Sequence, residues 1–137
     1  MKIQKMALLA SFLGLLFSSC TIYEDGPLFS LLSKKQRIAN VWVAERVTDP
    51  NGNEITDSYS SWTWTFTEDG EATVSYKIVV DIVVHGTWNL LDNGAIFQLI
   101  SNELLGQNIE EYDILRLTDK EFWVRAADGT VFRLKAK

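Results

Sequence analysis

Histidine and cysteine are the side chains that most often supply a general base, a metal ligand or a nucleophile. Each occurs once in 137 residues, as His85 and Cys20. That count nearly excludes a zinc site, a disulfide framework and a Cys–His nucleophile pair. A lone histidine in a strand-like stretch reads as structural, and no spacing brings a serine to it. The neighbouring carboxylates Glu68–Asp69 and Glu110–Glu111 fall at turns and strand ends, where solvated charge is the expected role. The glycines sit in turn-like clusters without phosphate-loop spacing. No catalytic residue, metal ligand or cofactor is therefore expected, and the chain does not read as an enzyme. What remains is aromatic. Trp62, Trp64 and Phe66 alternate with Ser61, Thr63, Thr65 and Thr67, which puts three large rings on one strand face. Such rings either fill a core or line a cavity for an apolar or amphipathic molecule. Trp62, Trp64, Phe66, Trp88 and the polar-tipped Tyr76 are the candidate contacts.

Cys20 closes a different kind of segment. Lys2 and Lys5 precede Met6 to Phe17, a run interrupted only by Ser11 and Gly14. The run is shorter than the roughly 20 apolar residues a membrane-spanning helix needs, and it has the length of a signal-peptide core. Its end, Leu16-Phe17-Ser18-Ser19-Cys20, resembles a bacterial lipobox, with Phe17 where leucine is more usual. The resemblance implies cleavage after residue 19 and acylation of Cys20. A plain secretory leader, with Cys20 left as a free thiol, is the alternative. Two or three acyl chains, each contributing about 0.8 kcal/mol per buried CH₂, would anchor the protein to a membrane permanently. Thr21 follows in place of Asp, which favours the outer membrane of the cell envelope. Glu24 and Asp25 read either as a surface-display signal or as part of a solvated tether over 20–29. Loss of Lys2 and Lys5 takes the formal charge from −5 to −7. So acidic a chain is a poor partner for nucleic acid.

The whole chain is 47% apolar, 12% aromatic and 23% charged, the mix of a folded globular protein, and one domain is expected over 30–137. Ser30 to Asn40 predicts a short helix with Leu31, Leu32, Lys35 and Ile38 near one face. From Val41 the period becomes 2. Strands are expected at Val41–Thr48, Ser60–Thr67, Ala72–Val80 and Ile82–Leu91. Others follow at Ala95–Ser101, Glu111–Leu117, Glu121–Arg125 and Thr130–Lys135, with a looser segment at Asn102–Ile109. In the first, Val41, Val43, Glu45 and Val47 share one side and Trp42, Ala44 and Arg46 the other. Asn51-Gly52, Asp69-Gly70, Asn93-Gly94 and Asp128-Gly129 supply turns. No helix is long enough to carry parallel crossovers, so neighbours must be antiparallel. An eight-strand meander removes its edges only by closing. The predicted fold is all-β: an eight-stranded antiparallel up-and-down barrel with one short N-terminal helix, a β-sandwich being the competitor.

Asn40-Val41-Trp42, Gly86-Thr87-Trp88 and Leu117-Thr118-Asp119-Lys120-Glu121, placed after a lipobox and a short helix, resemble the lipocalin-like lipoproteins of Gram-negative bacteria. The resemblance spans nearly all of 30–135 through short, degenerate motifs. It implies a lipocalin-like barrel, and an arginine near the barrel end stacked on the first-strand tryptophan. Here those residues are Arg133 and Trp42, although Asn40 replaces the usual glycine and the literal Gly-x-Trp lies mid-chain. The leading expectation is a membrane-anchored envelope lipoprotein binding a small hydrophobic ligand. The other is a packed barrel whose outer surface serves as a protein-contact module or accessory subunit.

Overall fold

The computed structural model describes residues 32–137; Cys20, the leader, the tether and the first residues of the predicted helix lie outside them. Eight antiparallel strands follow one another round a closed barrel. They are β1 (Val41–Thr48), β2 (Thr63–Phe66), β3 (Glu71–Lys77), β4 (Asp81–Leu91), β5 (Ile96–Glu103), β6 (Gly106–Leu117), β7 (Glu121–Ala126) and β8 (Val131–Ala136). Pairing of β1 with β8, from Trp42↔Ala136 to Thr48↔Val131, completes the ring. Closure leaves no unpaired edge, which a sandwich of the same strands would expose.

The helix α1 (Lys34–Ile38) is shorter than the period suggested. Ser33 sets its start through a capping box: its hydroxyl accepts from the Gln36 N–H, and its own N–H donates to Gln36 Oε1 at 2.9 Å. A Ser33→Ala variant is expected to lose about 1 kcal/mol, read as a lower urea midpoint with an unchanged m-value. The helix plugs one end of the barrel. Ile38 is fully buried there, Lys34 Nζ donates to the Asn93 carbonyl at 3.0 Å, and Arg37 Nη1 donates to that of Leu117. Above the plug, Trp42, Phe66, Trp88, Phe97 and Phe122 fill the interior, with Phe66–Phe97 and Phe97–Phe122 centroids 5.0 and 5.2 Å apart.

Several boundaries depart from the alternation. Ser60–Trp62 precede β2, because a 3-10 turn (Thr56–Tyr59) leads into it. Strand β3 stops at Lys77, where Ile78–Val80 turn the chain. Strands β5 and β6 together take in most of the segment expected to be loose, since Asn102 of β5 pairs with Gln107 of β6 and their side-chain amides meet across the ladder. In β1 the register slips between Ala44 and Arg46, so Val47 comes opposite the inward Phe132 and is fully buried. Val47 therefore does not share a side with Val41 and Val43, as strict alternation required. A bulge adds one residue and reverses the faces beyond it.

Candidate functional site

At the end away from α1 the interior does not fill. A cavity of about 260 Å³ opens there between the 3-10 turn of the β1–β2 connection and the upper halves of β2 to β8. Trp62, Trp64, Phe66 and Tyr76 all line it, so four of the five candidate contacts converge on one wall. Trp64 and Val74 are paired across β2 and β3 and face inward together. Trp62 is brought opposite Tyr76 by a clip just beyond the ladder: the Lys77 N–H donates to Ser61 Oγ at 3.1 Å, and that hydroxyl donates to the Lys77 carbonyl. The two rings stack at 4.3 Å with planes 10° apart. Trp64 lies 5.6 Å from Trp62, in near-parallel planes.

Trp88 does not belong to this wall. It is buried on the plugged side against Phe66 and Phe97, and its indole Nε1 donates to the Thr67 carbonyl at 2.9 Å. Period 2 fixes which face a residue takes but not its height along the barrel axis. The expected Trp42–Arg133 stack is likewise absent. Trp42 points inward and donates Nε1 to the Ile38 carbonyl, whereas Arg133 points out from β8 and lies over Trp123, 4.4 Å from its ring. Arg116 covers the same indole at 5.1 Å, so the arginine–tryptophan contact exists on the barrel's outside with a different tryptophan.

The opposite wall holds residues the alternation did not single out. Tyr59 ends the 3-10 turn and packs 5.1 Å from Phe132 and 5.2 Å from Trp62. Tyr112 and Glu110, adjacent inward positions of β6, are joined by a hydrogen bond of 2.9 Å from the phenol to the carboxylate. Glu110 is solvent-exposed, as expected, but it lies within β6 opposite Leu99 rather than at a strand end, and it is part of the cavity lining. Burial, reinforced by Glu110, pushes the Tyr112 phenol well above its ordinary range; burial with Asp128 and Glu110 does the same, less strongly, to Tyr59. Both phenols stay protonated at neutral pH, and the single O–H of Tyr112 is committed to Glu110. The signal for Tyr112 was its period-2 spacing with Ile114 and Glu110. Tyr59 carried none, since it sits in a connection.

The mouth is rimmed by apolar hairpin tips. Ile78, Val79 and Val80 between β3 and β4 are exposed, and Leu104 and Leu105 between β5 and β6 are fully so. His85 lies on the outer face of β4 beside Thr73, away from the cavity.

A closed eight-strand meander, plugged by a short helix at one end and open at the other onto an aromatic cavity, defines a lipocalin-like β-barrel. Solved structures share this architecture. A lipocalin-like protein from Bacteroides uniformis superposes with a TM-score of 0.61 at 14% identity, over 74% of this chain and 99% of its own. An uncharacterized protein from Bacteroides eggerthii gives 0.57 at 13%, over 72% of this chain and 98% of its own. At such identities the likeness is one of fold. No family model matches the chain, and no curated protein is similar to it.

Proposed function

We propose that this protein is a non-enzymatic lipoprotein of the cell envelope whose barrel mouth binds a small hydrophobic or amphipathic molecule, the body being tethered to the outer membrane through lipid on Cys20. The cavity of about 260 Å³ carries the ligand reading. An apolar cavity of roughly 150 Å³ already accommodates benzene. The larger space fits a body of one or two rings, with the rest of the molecule leaving through the mouth. The walls have the composition of ligand sites, mostly aromatic and aliphatic with a few polar groups to fix orientation. Anchoring rests on the sequence around Cys20.

The ligand reading predicts saturable quenching of tryptophan fluorescence by members of a lipophile panel. Trp62→Ala is expected to weaken that binding about tenfold through loss of the stacked wall. Trp88→Phe should leave affinity within about twofold, because Trp88 lies outside the cavity. Silence across the panel would overturn the reading. For the tether, Cys20→Ala is expected to move the protein from the membrane fraction to the soluble one; retention at the membrane would refute lipidation.

The exposed tips favour a second reading, in which the rim contacts a partner protein. Leu104 and Leu105 gain nothing from exposure to water, and contiguous apolar surface of this kind marks interaction sites. Under that reading a Leu104→Ser, Leu105→Ser double variant loses co-purification with a partner protein while ligand quenching persists.

A further inference from the structure

The cavity's charge pattern narrows the ligand, and the narrowing rests on the binding reading above. Of the described residues that line the cavity, Glu103 and Glu110 are the carboxylic acids, and no lysine, arginine or histidine is among them. The nearby basic groups are directed elsewhere. Lys77 lies at an exposed strand end opposite Asp81, and Arg125 reaches Asp113 at 3.3 Å on the outer surface. Facing the two carboxylates across the cavity stand the rings of Trp62, Trp64 and Tyr76, whose π faces carry negative potential. Asp128, in the turn between β7 and β8, adds to the negative field felt by the phenols of Tyr59 and Tyr112. A bound carboxylate or phosphate head would therefore meet like charge and no cationic partner. An ammonium head would meet a carboxylate held in place by Tyr112, together with ring faces suited to a cation.

We propose that the molecule taken by this cavity is an amphipathic cation: a ring or short alkyl body seated among Trp62, Trp64 and Phe66, with an ammonium group directed to Glu110. Tyr112 is a positioning residue. Its hydroxyl fixes the Glu110 carboxylate over the cavity and leaves that group's second oxygen for the ligand.

Three probes that share one body and differ in head charge test this: 4-phenylbutylammonium, 4-phenylbutanol and 4-phenylbutanoate, titrated calorimetrically at low salt. The ammonium is expected to bind at least about tenfold more tightly than the carboxylate, with the alcohol between them and the gap shrinking as salt rises. Glu110→Gln should cut ammonium affinity about five- to tenfold, leave the alcohol unchanged and improve the carboxylate. Unchanged alcohol binding also shows that the variant is folded. Tyr112→Phe should reproduce a smaller part of the ammonium loss alone. A carboxylate that binds as tightly as the ammonium, or a Glu110→Gln variant that weakens all three probes equally, overturns the charge preference while the cavity stands as a site. Absence of heat for all three probes overturns both.

Discussion

Truncating Trp42 to alanine is expected to lower stability by about 3–5 kcal/mol, a large share of the roughly 5–15 kcal/mol that holds a domain folded. The residue has no exposed surface, so the whole indole volume would become a void unless the core collapses. Its ring packs 5.6 Å from that of Phe122, and Trp64 lies directly across the β1–β2 ladder. Its Nε1 also donates at 2.9 Å to the Ile38 carbonyl, one of the groups a helix end leaves without an internal partner. The substitution therefore opens a cavity and loosens the helical plug together. Trp42→Phe separates the two effects. It keeps most of the volume and leaves the Ile38 carbonyl unpaired, for an expected loss of about 1–3 kcal/mol. Urea denaturation followed by circular dichroism reads both. A Trp42→Ala variant within about 1 kcal/mol of the parent would mean that the helix is not held by this side chain.

The alternation in the sequence was enough to place the strands, because a half-buried antiparallel strand writes its two faces into successive residues. Thr63-Trp64-Thr65-Phe66 is the cleanest case, and Trp64 and Phe66 are both buried as that pattern required. The absence of crossover helices then forced a meander, and the cost of free edges forced closure. Three kinds of information were not written in this form. A bulge is a single extra residue, so Ala44-Glu45-Arg46 looks like regular strand and Val47 appears on the wrong face. A connection can fold back over the mouth, as the turn ending at Tyr59 does, with no periodic trace. Height along the barrel is also silent. Trp88 and Trp62 share the inward face, yet one is sealed beside the closed end and the other stands at the open one. The candidate site was legible as a face, and its depth was not.

Gly86→Ala is expected to cost about 3 kcal/mol or more, above the usual range for overpacking. A Cβ at that position would lie 2.0 Å from the Ile100 carbonyl oxygen and 2.9 Å from both the Ile100 carbonyl carbon and the Ser101 Cα. All three are main-chain atoms, so no flexible side chain can swing aside. The β4–β5 ladder, which pairs Gly86 with Ser101 and Thr87 with Ile100, must open instead. Gly52 is the contrast: it has φ +87° and nothing near its absent Cβ, so alanine there meets backbone strain alone, about 1 kcal/mol. The close approach at Gly86 also explains the spacing of Gly86-Thr87-Trp88. The glycine lets β5 coil tightly against β4, and Trp88, next on the same face, fills the interior below and ties itself to the Thr67 carbonyl. Since Leu99 and Ser101 of β5 line the cavity, a ladder forced apart at Gly86 displaces the wall that carries Glu103. The variant should therefore lose hydrogen-exchange protection across β4 and β5 and bind ligand more weakly even where it remains folded. A variant with the parent's urea midpoint and exchange pattern would show that the strands can separate there without cost.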